Sequence, residues 1–186
     1  DLTLTALWKV NTYTITFDTD GGTSIPVITQ AFGTPVTAPA DPAQTGYAFV
    51  GWDREIPATM PAENITIKAK WSANSYTITF DTDGGTSIPA ITQAFGTPVT
   101  APADPVKTGY AFVGWDIKIP WTMPASNITL TAMWEVNSYT ISFDSDGGSA
   151  CNALPFEYGQ PLIGLPTPTR DGYSFDGWYI NGHRVT

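Results

Sequence analysis

The sequence is poor in the residues that build disulfide frameworks, nucleic-acid surfaces and membrane spans. Its single cysteine, Cys151, excludes an internal disulfide, and its single histidine, His183, is predicted to be solvated. The formal net charge of −9, from 8 Lys and Arg against 17 Asp and Glu, disfavours binding to nucleic acid or to an anionic membrane. No apolar run reaches the roughly 18 residues of a spanning helix. We therefore expect no nucleic-acid partner and no membrane span in this stretch of chain.

The most prominent feature that the sequence does have is a repeat with a period of 63 residues. A period of this size indicates serial copies of one small folded unit. The same residue recurs without a gap at several sets of positions, among them Trp8, Trp71 and Trp134, and Tyr13, Tyr76 and Tyr139. The predicted units are the closing strand of a preceding repeat (1–8), repeat 1 (9–71), repeat 2 (72–134) and repeat 3 (135–186).

Repeat 3 stops before its last strand in this register, so we expect the chain to be a piece of a longer array. Its missing segment is the counterpart of NITIKAKW at 64–71 and NITLTAMW at 127–134. Successive units are joined by four residues, KVNT, SANS or EVNS. Linkers this short leave little freedom between neighbours.

The apolar pattern inside repeat 1 predicts about four strands with little or no helix. The run YTITF at 13–17 alternates, as in a half-buried strand. A weaker strand follows near 28–32, and GYAFVGW at 46–52 is apolar on both faces, which predicts a strand covered on both sides. NITIKAKW at 64–71 alternates again, and proline-rich stretches connect the strands. The predicted fold class is mainly β, with small β units in tandem.

Comparison of the copies indicates a shared scaffold without shared chemistry. Repeat 3 keeps the core apolar residues and turn glycines of repeat 2, and no histidine, serine or cysteine constellation recurs. The carboxylates Asp53, Glu55 and Glu63 of repeat 1 are not all kept in repeat 2, which argues against a catalytic carboxylate pair. Repeat 3 also has, after Trp178, the dipeptide Asn181-Gly182, which is typical of a type I′ hairpin turn.

These residues carry a family resemblance that covers essentially the whole chain. FDTDGG, then GYAFVGW, then NITIKAKW, at fixed spacing, resembles the Listeria–Bacteroides repeat, the family that includes the B repeats of internalin-type surface proteins. The resemblance implies a small β-grasp-like module, found in tandem in secreted or wall-anchored bacterial proteins and linked to stalks and adhesion. Repeats 1 and 2 depart from the pattern in having Asp53 and Asp116 after the GW tryptophan, where aromatic residues such as Tyr179 are also common. This difference is expected to change a surface patch and to leave the fold as it is.

Three acidic turns are the candidate metal ligands. Each repeat has the pattern Asp-x-Asp-Gly-Gly, which begins like a calcium-binding loop. The residues that follow at 23–26 are Thr, Ser, Ile and Pro, so the remaining ligands of such a loop are absent, and a tight Asp-Gly turn explains the same residues. We predict no cofactor, with a weak calcium site as the alternative. The aspartates concerned are Asp18, Asp20, Asp81, Asp83, Asp144 and Asp146.

Aromatic side chains offer two further candidates. Tyr47, Phe49 and Trp52 fit either a packed core or a sugar-stacking platform, and small repeats need such rings as core. Trp121 differs, because it replaces Ala58 of repeat 1 in a proline-rich crossover and is not required by the scaffold. We predict that Trp121 is a partner contact.

The sequence predicts a non-catalytic structural or adhesion module. It would act as a stalk or spacer of a secreted or cell-surface bacterial protein, with weak multivalent protein binding. The alternative is an accessory carbohydrate- or protein-binding module of a secreted enzyme. The expected location is extracellular or at the cell surface, and the expected partners are another protein or neighbouring repeats.

The segment Leu2–Trp8 suggests self-association, because it resembles the strand that repeat 3 lacks. The start of one chain would complete the end of another by strand addition to an exposed edge. The alternative is that this segment packs onto repeat 1.

Overall fold

The computed structural model describes residues 1–185. Within them there are strands and no helix, which confirms the predicted mainly-β fold class. The strands are β1 (Thr12–Asp18), β2 (Ile28–Ala31), β3 (Tyr47–Trp52), β4 (Ile65–Ala73), β5 (Ser75–Asp81), β6 (Ile91–Ala94), β7 (Tyr110–Trp115), β8 (Ile128–Val136), β9 (Ser138–Ile141), β10 (Leu154–Glu157), β11 (Tyr179–Ile180) and β12 (His183–Arg184). In the described residues no helix is long and apolar enough to cross a membrane.

The Cα positions divide the chain into two compact units. The first unit comprises residues 1–79, 90–101 and 119–129. The second unit comprises residues 80–89, 102–118 and 130–186.

The sheet of repeat 1 has the strand order β2-β1-β4-β3. β1 pairs antiparallel with β2 through residues 12–15, and parallel with β4 through residues 15–18. β4 also pairs antiparallel with β3. The last strand of the repeat in sequence is therefore central in space, and it joins the two halves of the sheet. Repeat 2 has the same order, β6-β5-β8-β7.

The core of repeat 1 lies on one face of this sheet. Ile15 and Phe17 from β1 pack with Ile67 from β4, and all three are buried as the alternation predicts. Met60, from the proline-rich crossover, completes the cluster. Its backbone is fixed by two hydrogen bonds, from Gly33 N–H to its carbonyl and from its own N–H to the carbonyl of Thr34, each 2.9 Å long.

The prediction that GYAFVGW is covered on both faces is wrong. β3 is an edge strand, its residues alternate between half-buried and exposed, and Val50 is exposed. The register shifts between Phe49 and Gly51, where φ is +116°, so a bulge lies inside this strand. The reason for the error is that repeat 1 has a single sheet, and the described loops cover one of its faces.

Repeat 3 has less regular structure than the other repeats. β9 and β10 form a two-stranded sheet, and β11 and β12 form a separate hairpin. Its turn has φ values of 49° at Asn181 and 81° at Gly182, as the predicted type I′ turn requires. Residues 174–178, the counterpart of most of β3, are not in a strand, and no side chain of residues 135–185 joins the buried hydrophobic core.

The short β9 has a physical explanation in the pairing of β1. Residues 12–15 of β1 are held by β2, but residues 15–18 are held by β4. β9 ends at Ile141, the counterpart of Ile15, because the described part of repeat 3 has no counterpart of β4. Residues 174–178, which correspond to most of β3, likewise have no counterpart of β4 to pair with among the described residues.

Residues 1–8, predicted as a closing strand, form no strand in the structure, and Trp8 is 88% exposed. The alternative that Leu2–Trp8 packs onto repeat 1 is not seen, because every residue from 1 to 11 is exposed, and the assignment of residues 1–8 to a preceding repeat stays a prediction. The central place in that sheet is already occupied by β4, so repeat 1 has no groove left for this segment.

Candidate functional site

The six aspartates predicted as metal ligands lie in three tight turns of one geometry. In repeat 1 both Asp20 and Gly21 have positive φ, 48° and 90°, and the Gly22 N–H donates to the carbonyl of Thr19 at 3.0 Å. This is the type I′ geometry, in which an Asp-Gly pair is favoured. Asp18 Oδ1 accepts the N–H of Asp20 at 3.1 Å, so one carboxylate oxygen fixes the turn itself.

The other two turns repeat these contacts. In each of the three turns, one aspartate also forms an ion pair with a Lys or Arg side chain of the chain. The N–H of Asp83 donates to Asp81, and that of Asp146 to Asp144. No group of three or more His, Cys, Asp or Glu in residues 1–185 is placed to hold a metal ion. The weak calcium site stays a prediction. The ion pairs are Lys68–Asp18 at 3.4 Å, Lys107–Asp83 at 3.3 Å and Arg170–Asp146 at 3.9 Å.

The junction between repeats 1 and 2 is a single residue outside the strands. β4 ends at Ala73 and β5 begins at Ser75, so only Asn74 separates them. Its N–H donates to the carbonyl of Gly46 at 2.9 Å, and its own carbonyl accepts the N–H of Phe95 at 2.7 Å. The predicted four-residue linker is therefore mostly strand.

An aromatic ring closes this junction. Phe95 of repeat 2 lies edge-on to Tyr47 of repeat 1, with ring centroids 5.4 Å apart. Gly46 has φ +83°, and a Cβ placed on it would overlap the Phe95 ring. Glycine is thus required here twice, by its backbone conformation and by the approach of the ring.

The junction between repeats 2 and 3 is built in the same way. The N–H of Asn137 donates to the carbonyl of Gly109 at 2.9 Å, and the carbonyl of Asn137 accepts the backbone N–H of Tyr158 at 3.0 Å. Tyr158 lies edge-on to Tyr110 at 6.0 Å, and a Cβ on Gly109 would overlap its ring. The sequence interpretation missed these junction aromatics. Their signal was an aromatic residue before a glycine at the same place in each repeat, Phe32, Phe95 and Tyr158.

A second recurring device holds the end of the closing strand, and we call it the tryptophan socket. In repeat 1 it consists of the Thr19 carbonyl, Gly22 and the Phe49 ring. The indole N–H of Trp71 donates to the Thr19 carbonyl at 3.0 Å, and its ring lies 5.5 Å from that of Phe49. A Cβ on Gly22 would lie 2.6 Å from the indole, so the second glycine of the turn makes room for the ring.

Repeat 2 has the same socket around Trp134. Its indole N–H donates to the carbonyl of Thr82 at 3.1 Å, and it packs against Phe112 at 5.5 Å. Gly85 again provides the space.

The socket of repeat 3 holds no indole in the described structure. Its three elements, Ser145, Gly148 and Phe175, line an open cavity of about 390 Å³. An adjoining apolar groove of about 370 Å³ is lined by residues that include Ile141 and Phe143, the counterparts of core residues of repeat 1. The two cavities share Asp144, Trp178 and Tyr179.

The aspartates that depart from the family pattern fasten the closing strand. Asp53 Oδ1 accepts the N–H of Lys68 at 2.8 Å, and the Asp53 N–H donates to the Lys68 carbonyl at 2.8 Å. Asp116 makes the same pair of bonds with Thr131. These contacts tie the end of each edge strand to β4 or β8.

Repeat 3 has Tyr179 at this position, and its hydroxyl donates to a carboxylate oxygen of Asp176. This hydrogen bond, and next the negative charge of Asp176, raise the pKa of Tyr179, because ionisation would lose the bond and set two anions side by side. The neutral phenol therefore keeps this contact at neutral pH. The contact is lost as pH rises through the raised pKa.

The remaining aromatic candidates are placed differently from one another. Trp52 packs on Phe17 at 5.2 Å and on Phe49 at 5.1 Å, so these rings extend the core and do not form a flat platform. Trp121, in the crossover between β7 and β8, is 79% exposed, and its carbonyl accepts the N–H of Val99 at 3.0 Å.

Comparisons with known proteins agree with this repeating geometry. The model of the Listeria-Bacteroides repeat domain matches residues 13–70, 76–133 and 139–184. A relative in Evansella cellulosilytica, named as a membrane protein, is 34% identical over 96% of this chain, which spans 29% of that relative. Internalin H of Listeria monocytogenes is 37% identical over 67% of this chain, which spans 25% of its length.

A likeness to a solved structure is distant. It is to the Streptococcal High Identity Repeats in Tandem domains 3–4 of a cell surface protein, at 18% identity and a TM-score of 0.24. It covers 68% of this chain and 98% of that one.

Proposed function

The chain belongs to the Listeria-Bacteroides repeat domain family, and from this premise we propose that it is a structural module, a stalk or spacer of a bacterial surface protein. The observation that carries the proposal is the junction. Two successive junctions have one intervening asparagine, the same pair of backbone hydrogen bonds and the same ring over a glycine.

This junction resists bending for a local reason. Rotation of one repeat against the next would break the bond from Asn74 N–H to the Gly46 carbonyl and separate Phe95 from Tyr47. An aromatic pair of this kind contributes about 0.5–1.5 kcal/mol beyond its buried area, and a backbone hydrogen bond about 0.5–1.5 kcal/mol. A spacer with stiff joints projects what it carries, whereas a flexible linker of the same length coils.

The joint is tested by pulsed electron paramagnetic resonance. Cys151→Ser removes the native thiol, and spin labels are attached at Glu63 and Thr100, which are both exposed, lie in consecutive repeats and belong to the first compact unit. We expect a single narrow distance distribution. A broad distribution, as a flexible linker gives, would contradict the stiff-spacer proposal.

We further propose an extracellular or cell-surface location and a non-catalytic role. The support is the family membership and the names of the relatives, Internalin H and a membrane protein. Each relative is several times longer than this chain, so the activities of the complete proteins do not transfer to it.

A second candidate is an accessory binding module of a secreted enzyme. One observation favours it, namely that Trp121 is 79% exposed on a proline-rich crossover. An exposed indole suits a protein contact or a sugar-stacking surface. Trp121 thus remains our proposed partner contact.

Titration with soluble polysaccharides separates the two candidates. If the chain is a spacer, its tryptophan fluorescence will stay unchanged at every polysaccharide concentration. A saturable change that Trp121→Ala abolishes would instead support the accessory module. Trp52→Phe is not a suitable control because Trp52 packs against the core.

A further inference from the structure

The two strands that carry tension through repeat 1 are neighbours in its sheet. Tension along the chain enters the repeat at β1, its first strand, and leaves through β4, its last. These strands pair parallel, from Ile15 with Ile65 to Asp18 with Lys68. The start of β1 and the end of β4 therefore lie at opposite ends of the pair, and tension pulls the two strands past each other along their length.

This loading direction decides how the pair of strands gives way. When parallel neighbours are pulled lengthwise, the evenly spaced hydrogen bonds between them are loaded together and must break together. When the same strands are pulled apart sideways from one end, the bonds break one after another. Because resistance to force follows the rate of unfolding, the direction with the larger barrier needs the larger force.

Side chains lengthen the short parallel ladder at both ends. Before its first paired residues, Oδ1 of Asn64 accepts the Thr14 N–H at 2.8 Å. At its last paired residues, the Lys68 ammonium lies 3.4 Å from the Asp18 carboxylate. Further along, the tryptophan socket holds the end of β4 on the turn that follows β1. The contact between β1 and β4 thus extends beyond the ladder on both sides.

The core of repeat 1 also resists sliding of these strands. Ile15 and Phe17 from β1 and Ile67 from β4 are at most 7% exposed. Movement of β4 along β1 would take these side chains out of register and expose apolar surface to water. β4 is paired with β3 on its other edge, so the same movement would break a second set of hydrogen bonds.

Repeat 2 has the same two links from side chains. Oδ1 of Asn127 accepts the Thr77 N–H at 2.8 Å. The indole N–H of Trp134 donates to the carbonyl of Thr82 at 3.1 Å. The first and last strands of this repeat, β5 and β8, are again neighbours in the sheet. The arrangement is therefore a property of the repeat and not of one copy.

We propose that repeats 1 and 2 are mechanical clamps, in which the contact between the first and last strands keeps the repeat folded under tension. This goes further than the spacer proposal, because stiffness of a joint and resistance of a repeat to force are separate properties. The clamp rests on the stalk role for the origin of the tension, and on the strand pairing alone for the resistance.

Pulling repeat 1 in two directions tests the proposal in a single-molecule force measurement. Handles are attached to introduced cysteines in the Cys151→Ser chain, at sites that are all exposed. Asn11→Cys with Ser72→Cys loads β1 and β4 lengthwise. Asn11→Cys with Glu63→Cys peels them apart from the end at which both begin. We expect the lengthwise direction to need a severalfold higher force, and the contour length to grow there by about 200 Å on unfolding.

Substitutions at one end of the ladder test which contacts set the force. Asn64→Ala removes the acceptor of the Thr14 N–H and is expected to lower the lengthwise unfolding force. Asn64→Asp keeps an acceptor oxygen and is expected to restore most of that force. Val36→Ala truncates a side chain that packs on the core outside the β1–β4 contact, so it is the control for a general loss of stability. Urea unfolding gives the free energy of unfolding of each variant for the comparison.

Two results would overturn the proposal. The first is an equal unfolding force in the two pulling directions. The second is a lengthwise force that follows the free energy of unfolding alone, with Asn64→Ala and Val36→Ala on the same line, since the β1–β4 contact would then add nothing beyond ordinary stability. Neither result involves the joints, whose stiffness the spin-label distances measure, so failure of the clamp and failure of the stiff spacer are distinguishable.

Discussion

Replacement of Leu130 by alanine is expected to lower the free energy of unfolding of repeat 2 by about 2–5 kcal/mol, the usual cost of truncating a buried leucine. Leu130 is 0% exposed and lies in β8, the central strand that joins the two halves of the sheet. The cavity it leaves adjoins a small core, in which few neighbours can move to fill it. Urea unfolding measures the loss, and hydrogen exchange of the β8 amides assigns it to this repeat.

The matched control is Leu4→Ala. Both leucines occur in the tetrapeptide TLTA, at residues 3–6 and 129–132. Leu4 is 88% exposed, so its truncation is expected to change the unfolding free energy by less than about 0.5 kcal/mol. Equal losses for the two variants would show that residues 1–8 are packed in solution, against the structure.

This pair of leucines also shows what a sequence can predict about this fold. The alternation in TLTA correctly predicts which side chains of β8 face the core, because side-chain direction is a local property of a strand. Burial is not local, since it requires partner strands. Leu130 and Ala132 are buried in the core, whereas Leu4 and Ala6 at the same places of the tetrapeptide are exposed.

Turn chemistry was equally predictable. Asp20-Gly21 and Asn181-Gly182 both adopt the positive φ values that their sequences favour, because this preference belongs to the residues themselves. Met60 was not predicted as core, since its burial depends on where a proline-rich crossover lies. The exposed face of β3 was also missed, because an apolar run does not show how many layers cover it.

The candidate site was the least predictable part. The sequence pointed to acidic turns and to Trp121. The structure also shows Phe95 and Tyr158 at the junctions between repeats and the tryptophan socket within them. Each of these acts through a residue far along the chain, such as Trp71 on Thr19, which lie 52 residues apart. The period placed these residues in register, but it did not say which of them touch.

Gly46→Ala is expected to cost more than its backbone strain alone and to loosen the first junction. Gly46 has φ +83°, and an alanine in a left-handed conformation costs about 1–2 kcal/mol. The added Cβ would also overlap the Phe95 ring, and forcing a group into a packed contact costs about 1–3 kcal/mol more. Urea unfolding gives the total cost. The spin-label distance distribution across the junction is expected to broaden.

Gly33→Ala separates the two contributions. Gly33 lies in the same repeat with φ +77°, and nothing lies within 4 Å of a Cβ placed there. It should therefore cost the strain alone and leave the distance distribution narrow. Phe95→Ala supplies the second arm of a double-mutant cycle, in which the extra cost of Gly46→Ala should disappear once the ring is gone. If Gly46→Ala and Gly33→Ala cost the same, with both distributions narrow, the ring does not hold the joint and the stiffness must come from the strand that runs through Asn74.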